Sequence, residues 1–520
     1  KELELKGSVF KSCSDTEVIL ALYSIYGISF LNKLNGMWAF GLYDIHEDIL
    51  FLSRDRIGKK PLFYFKDENK LVFASEMKAL YSFLPKVIPN FEVVLKAKSD
   101  VFSYEASEEC LIKWIKRFPP GSFGIYCKGD LKIQRFWNIE IDKNTPIKYE
   151  DQVEYFRDLF IDSCRLRMRS DVALGTALSG GVDSSATIST MAYLAKEGFS
   201  TKNSDWQHAF VASFPGSELD ETKEAKNVAD YLGLKAYCVD INPLKDIDKL
   251  FHYSYMIEEF YLTSPLPMIQ LYGEVRKRGV FVTLDGHGSD ELFGGYTFHM
   301  GEKLKDDFPN PFEMLSTLKT ISQGKGLIEK FGYEHLYPYF KSSSKQKLRE
   351  LILNKNVGKY DHLNTKLYEA TFETILPTLL RNYDRYSMIN GVEIRMPFLD
   401  YRIIEFAFSI PSSSKIRNGY SKSIVRDAMK GFFPDEVRLL KRKTGFNSPF
   451  TEWLKGPLKE WVYDEINSND FKTASFINQE EVTNKIHRTI NSDFSTFADG
   501  EEAWSLLMPY VWEKSLVYAK

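Results

Sequence analysis

The sequence predicts two structural units: an α+β unit built mainly on antiparallel strands over residues 1–140, and an α/β doubly wound parallel sheet with helical additions over 150–520. Three observations carry that expectation. Short apolar runs separated by turn residues crowd the first unit, strand and helix patterns alternate from about 150 to 285, and three loops rich in Gly, Ser and Asp fall where those later strands end. A chain of 520 residues also exceeds what one core can fill, since single cores stop growing near ~250–300 residues.

The elements follow in order. "SDTEVILALYSIYG" sets Ser14 and Glu17 at capping-box spacing and predicts a helix. "GMWAFGLYDI", "DILFLSRDRIG" and "PLFYFKDENKLVFAS" read as short strands, and "SFGIYCKGDLKIQRFW" as a hairpin turning at "KGD". After "IDKNTPIKYE" the rhythm changes. A helix near 150–168 precedes an apolar strand ending at "TALSGG", and "SSATISTMAYLAKEG" is the next helix. "HAFVASF", "KAYCVDIN" and "GVFVTLDG" are further strands, with the helix "ETKEAKNVADYLGL" after the first of them. Residues 297 to about 365 are lysine-rich and predict a helical insertion; from 366 the pattern is helical again, and "RMPFLD", Arg395 to Asp400, reads as structural.

Composition narrows the class. Hydrophobic residues make up 44% and charged residues 27%, ordinary for a soluble globular protein, and a net charge of -3 gives no reason to expect a nucleic-acid partner. Cys13, Cys110, Cys127, Cys164 and Cys238 form no CxxC pair, which disfavours zinc ribbons and thioredoxin-type chemistry and suits free thiols in a reducing, cytoplasmic location. No signal peptide or membrane-length apolar run is visible, so no membrane partner is expected. The chain opens "KELELKGSVF" without methionine, and its true start is expected upstream.

Doubly wound sheets bind ligands at the carboxyl ends of their strands, and "SGGVDSS", "SFPGSELDE" and "DGHGSDELFGGY" all lie there. In the first, Gly180 and Gly181 let backbone approach an anion, Ser179, Ser184 and Ser185 add hydroxyls, and the following helix lends its dipole. The lysine of a GxxxxGK[ST] loop is absent. Asp183 stands there instead, which suits a magnesium–phosphate complex, because Mg2+ takes a few carboxylate oxygens beside phosphate and water. The third loop supplies Asp290 and Glu291 as further carboxylates. Such a site suits loss of pyrophosphate from ATP, with a substrate carboxylate attacking the α-phosphate to give an acyl-adenylate that a nucleophile then opens. An SGG alone is a common turn; "SGGVDSS" between an apolar strand and a helix is far more specific.

On these motifs, together with "LNGMWAFGLYD", "SRDRIGKKPLFY", "FASEMKAL", "YDRYSMINGVEIRMPFLD" and "KRKTGFNSPFTEW", nearly the whole chain resembles the asparagine synthetase B family of glutamine-dependent amidotransferases. The resemblance implies an N-terminal-nucleophile glutaminase domain, incomplete here, over 1–140 and an ATP-pyrophosphatase synthetase domain over 150–520. Ammonia released from glutamine in the first would travel through an internal tunnel to an aspartyl-adenylate in the second. By position, Asp15 is implied to bind glutamine's amino group. Ala177, Leu178, Ala212, Asp285 and Gly286 are implied to contact adenosine, beside Ser179, Gly180, Gly181, Ser184 and Ser185 on the phosphates. Asp183 and Asp290 are implied to hold metal, and Lys443 of "KRKTGF" to meet phosphate and the developing charge. The catalytic candidates are His287, Lys443 and Glu291. ATP and Mg2+ are the cofactors; aspartate, ATP, and glutamine or ammonia are the substrates; a homodimer is the candidate assembly.

Two departures matter. The family's nucleophile is a cysteine at the mature N-terminus, whereas the first cysteine here is Cys13, so the chain as written is expected to use ammonia unless a segment precedes Lys1. His287 stands where the family carries Glu or Asp; a neutral imidazole can accept a proton but cannot replace a metal-binding carboxylate. That leaves open a carboxylate acceptor other than aspartate, on a surface sugar or a peptide, or a relative that has lost catalysis.

Overall fold

The computed structural model describes the chain apart from residues 1, 13, 200–205, 207, 261, 262, 309, 319–359, 442–446 and 520. After a short helix, Glu2–Leu5, the helix Asp15–Tyr26 begins at Ser14, whose hydroxyl accepts the Thr16 amide at 3.2 Å. The capping box differs from the expected one. The chain before Ser14 folds back over the first turn, and the Glu17 carboxylate accepts the amides of Lys11 and Ser12 at 2.8 Å each instead of returning to Ser14.

Two antiparallel sheets follow. Strands β1 (Ala39–Asp44), β2 (Ile49–Arg54), β6 (Ser122–Cys127) and β7 (Asp130–Arg135) form one in the order β1-β2-β6-β7; β3 (Phe63–Lys66), β4 (Leu71–Ala74) and β5 (Lys116–Arg117) form the other in the order β4-β3-β5. The hairpin closes at the Cys127–Asp130 pair, and both turn residues, Lys128 and Gly129, have positive φ, as a two-residue hairpin turn demands.

The helix Tyr149–Arg167 leads into a five-stranded, wholly parallel sheet: β8 (Leu174–Ala177), β9 (His208–Ser213), β10 (Lys235–Asp240), β11 (Val282–Leu284) and β12 (Glu393–Arg395). Its order, β10-β9-β8-β11-β12, reverses direction between β8 and β11, so the loops after those two strands flank the switch point. Strand β12 corrects the sequence reading, which ran helix through this stretch. Three residues carry too little pattern to stand out between two helices, yet they extend the buried sheet, and the Asp285 amide continues the ladder onto the Arg395 carbonyl at 2.9 Å. In the expected insertion, helix His299–Asp307 is present, helix His362–Phe372 begins before 366, and 319–359 lie outside the described residues. No described helix is long and apolar enough to cross a membrane.

The two units share their packing. Met77 and Leu80 belong to the same apolar core as Phe450, Trp453 and Trp504. The helix Ile375–Met388 lies along the seam. Arg385 pairs with Glu76 at 3.1 Å and Glu258 at 2.9 Å, Arg381 with Glu105 at 3.1 Å, and Lys60 with Asp384 at 2.9 Å. Arg117 closes the cluster onto Glu105 at 2.9 Å and Glu259 at 3.5 Å. Charges buried this deeply persist only when paired.

Candidate functional site

The loop after β8 turns at Gly180, whose φ of +74° is open to glycine without strain, and a β-carbon there would come within 2.6 Å of the Ala225 nitrogen on the next helix. Ser179 and Ser184 then tie the loop shut: their hydroxyls lie 3.1 Å apart, the Ser179 amide donates to Ser184 Oγ at 3.2 Å, and the Gly181 amide to Ser179 Oγ at 3.3 Å. The helix Val182–Lys196 starts immediately afterwards, so its free amides and positive dipole end face the loop.

The loop after β11 packs against that helix start. Gly286 is so close that a β-carbon would fall 2.6 Å from the Asp183 carbonyl carbon and 2.7 Å from the Ser184 nitrogen. Asp285 clamps the two strand ends together. Its buried carboxylate accepts the Ala177 amide at 2.9 Å, the Tyr272 hydroxyl at 2.7 Å and the Thr283 hydroxyl at 3.1 Å. Burial pushes its pKa up to about 6, with those hydrogen bonds opposing. Leu178 is buried, its amide on the Phe210 carbonyl, and Ala212 stands two residues farther along the neighbouring strand.

Asp183 and Asp290 meet. A single side chain bridges them: the Lys422 ammonium lies 2.5 Å from Asp183 Oδ2 and 2.5 Å from Asp290 Oδ1. Lys422 is buried and holds a left-handed φ of 53° just before the helix Ser423–Ala428, a conformation that costs a non-glycine residue energy. Arg426, on the same helix, is also buried; burial lowers its pKa to about 10, with the charges of Asp183 and Asp290 acting the other way. Around this cluster Asp183 Oδ1, Ser185 Oγ and Ser289 Oγ are buried without a hydrogen-bond partner among the described residues. Orphaned buried polar atoms gathered at one loop mark a place built for a ligand.

His287 lies beside the cluster. Its ring rests on Tyr383 with centroids 3.8 Å apart, and its Nε2 is 4.0 Å from Asp285 Oδ2. Glu291 is buried and takes a hydrogen bond from the Tyr296 hydroxyl. Asp15, at the start of its exposed helix in the first unit, is not part of this cluster, and Lys443 lies outside the described residues.

Of the carboxylates singled out from the sequence, Asp183 and Asp290 are thus brought together; Lys422, Arg426 and Tyr383, which lie beside them, were not singled out. Lys422 sits in "NGYSKSIVRDA", which reads as an ordinary surface turn and helix; its only sequence signal is a lysine just ahead of a buried apolar helix face. Among the described residues no group of three or more His, Cys, Asp or Glu side chains is arranged to hold a metal ion by itself. A cation here would therefore rest on two carboxylates and draw its remaining oxygens from phosphate and water, which is the habit of Mg2+.

The pattern of the asparagine synthase family matches residues 155–514, and that of the glutamine amidotransferase domain matches residues 1–137. A glutamine-hydrolyzing asparagine synthetase 1 of Bacillus subtilis is 30% identical, over 98% of this chain and 82% of its own length. An amidase of Gibberella zeae, chry2, is 27% identical over 93% of this chain and 80% of its own. Asparagine synthetase B of Escherichia coli is 27% identical over 90% of this chain and 70% of its own.

Proposed function

Because the chain belongs to the asparagine synthase family, we propose that it activates the side-chain carboxylate of aspartate with ATP and passes the acyl group to ammonia, giving asparagine, AMP and pyrophosphate. The convergence of Asp183 and Asp290 on one cation beside the Ser179–Gly181 loop carries this reading. The loop amides and the dipole of the Val182–Lys196 helix hold the phosphates, with Ser184 and Ser185 as hydroxyl donors. The donor set fits Mg2+: two carboxylates, one with an unpartnered oxygen, around a point that an ammonium already occupies. Bound there, Mg2+ supplies charge neutralisation of the departing pyrophosphate.

The chain's own groups do the rest. A carboxylate oxygen of the substrate attacks the α-phosphorus, and the bond to the pyrophosphate oxygen breaks. Lys422, released from its carboxylates, donates to the phosphate oxygens on which charge gathers, with Lys443 as a second contact by position. Ammonia attacks the acyl carbon, AMP leaves with the C–O electron pair, and the new nitrogen must lose a proton. His287, braced on Tyr383, is the group we assign to receive it. Residues 1–137 match the glutamine amidotransferase domain, and we assign ammonia supply to that domain, with Asp15 on the glutamine amino group. Hydrolysis of glutamine there would need a terminal cysteine nucleophile, which Cys13 does not provide.

The test is ATP–pyrophosphate exchange with L-aspartate and Mg2+. Aspartate-dependent exchange supports the reading; ADP and orthophosphate as products overturn it. A second acceptor class is favoured by His287 and by the relative named as an amidase. Exchange driven by another carboxylate and not by aspartate would decide for it.

A further inference from the structure

Lys422 spans Asp183 and Asp290 from a left-handed backbone that a lysine rarely adopts. Its stem has little room, since a β-carbon on Gly295 would collide with Lys422 Cε. The ammonium therefore meets both carboxylates only while φ and ψ at residue 422 stay where they are. Both peptide planes flanking its α-carbon are held. The Lys422 carbonyl accepts the Arg426 amide at 3.0 Å, and the Lys422 amide donates to the Phe293 carbonyl at 3.3 Å. The Ser421 carbonyl, just before Lys422, accepts Arg426 Nε at 2.8 Å. One residue, Arg426, thus grips the chain before and after Lys422.

Arg426 is fixed in turn. It is buried, its Nη1 donates to the Arg438 carbonyl, and Arg438 Nη1 returns a bond to the Arg426 carbonyl at 3.3 Å. Its Cζ lies 5.6 Å from the centre of the Tyr420 ring. The turn that carries Tyr420 is closed by backbone bonds between Arg417 and Tyr420 at 3.1 and 2.9 Å, with Asn418 and Gly419 both at positive φ. A non-glycine residue in the left-handed region persists only when its surroundings impose it, and the two bonds from Arg426 are such an imposition. Shape matters here more than charge. Only a nitrogen at the ε position of residue 426 meets the Ser421 carbonyl.

We infer that Arg426 is a positioning residue for the ATP-cleaving step: its grip on the Ser421 and Lys422 carbonyls holds the backbone from which the Lys422 ammonium reaches the carboxylates and then the phosphates. The inference rests on the role proposed above for Lys422 in ATP cleavage and leaves the identity of the acceptor open.

Two substitutions in the full chain separate grip from charge. Arg426→Gln places its amide nitrogen where Nε stood and keeps the Ser421 bond without the charge; Arg426→Lys keeps the charge with a carbon at that place. In aspartate-dependent ATP–pyrophosphate exchange, Arg426→Lys should lose about 10–10²-fold at saturating ATP, with the KM for ATP within about twofold of native. Arg426→Gln should stay within about threefold of native. A lysine variant as good as the glutamine one, or a raised KM for ATP in Arg426→Lys, overturns the assignment and makes the guanidinium a direct phosphate contact. Melting in metal-free buffer needs no activity. There Lys422→Met should lower the melting temperature about half as much in Arg426→Lys as in the native chain, and as much as in the native chain in Arg426→Gln. Equal losses in all three backgrounds overturn the assignment. If aspartate drives no exchange in the native chain, the function proposed above fails, and the melting cycle alone decides whether Arg426 holds Lys422. Should Arg426→Lys fail to fold, Arg426→Gln decides: a loss of exchange beyond about tenfold, or a smaller effect of Lys422→Met on its melting, overturns the assignment.

Discussion

Lys422 donates to Asp183 at 2.5 Å across 239 residues of chain, and the same ammonium reaches Asp290. Lys422→Met would leave two carboxylates facing each other without a shared counterion. Removing one partner of a buried pair should cost about 3 kcal/mol of stability in metal-free buffer. Millimolar Mg2+ should then recover part of the melting temperature in the variant and shift the native chain less, because there the ammonium competes with the metal. Calorimetry with and without Mg2+ reads this; equal shifts in the two proteins would reject a common cation position.

Asp183→Asn and Asp290→Asn should each lower the exchange rate by ~10²–10³, in line with the loss of other electrostatic stabilisers. If both oxygens serve one cation, the double variant should be little worse than either single one. Fully additive losses would mean that the two acids act separately.

His287→Ala should separate the two half-reactions. Adenylate formation, read as exchange, should stay within a few-fold of native, while amide formation falls by ~10². Tyr383→Ala should follow it in part, since the supporting ring is gone, and His287→Glu should retain amidation of aspartate. An intact amidation rate in His287→Ala would reduce the residue to loop filler.

Asp285 gives a stability signature in pH. Its folded pKa of about 6 lies above the ordinary value near 4, so the native state binds the proton more tightly than the unfolded chain does. That stabilisation is fully present below pH ~4 and is lost as pH rises through about 6, a change on the order of 3 kcal/mol. Asp285→Asn, neutral throughout, should flatten the melting temperature between those limits. A slope as steep as native would assign the effect to another group.

How much of this was legible in the sequence depended on where the chemistry sat along the chain. The Ser179–Ser185 loop announced itself because strand, two glycines, carboxylate and helix follow one another within a dozen residues, each answering a local need. Asp290 could be added because its loop also follows a strand. Lys422 could not: its partners are fixed by the sheet order, which brings Ser423–Ala428 over the switch point. Strand β12 was hidden for a similar reason, since three residues beside β11 gain their strand character from the neighbour and not from their own pattern. Glu17 was read as a local cap because spacing does not reveal that the preceding chain turns back over the helix.

The ionic seam along Ile375–Met388 sets the terms for exchanging halves between relatives. A synthase segment expressed alone would present Arg381 and Arg385 without Glu105 and Glu76, and would lose Met77 and Leu80 from the apolar core it shares with the first unit. Its surface would be sticky and mismatched in charge. A chimera can dock cleanly only when the incoming N-terminal half carries acids at 76 and 105, a base at 60, and apolar side chains at 77 and 80. The two genes' worth of sequence are therefore bound to drift together at those positions, however freely their outer loops change.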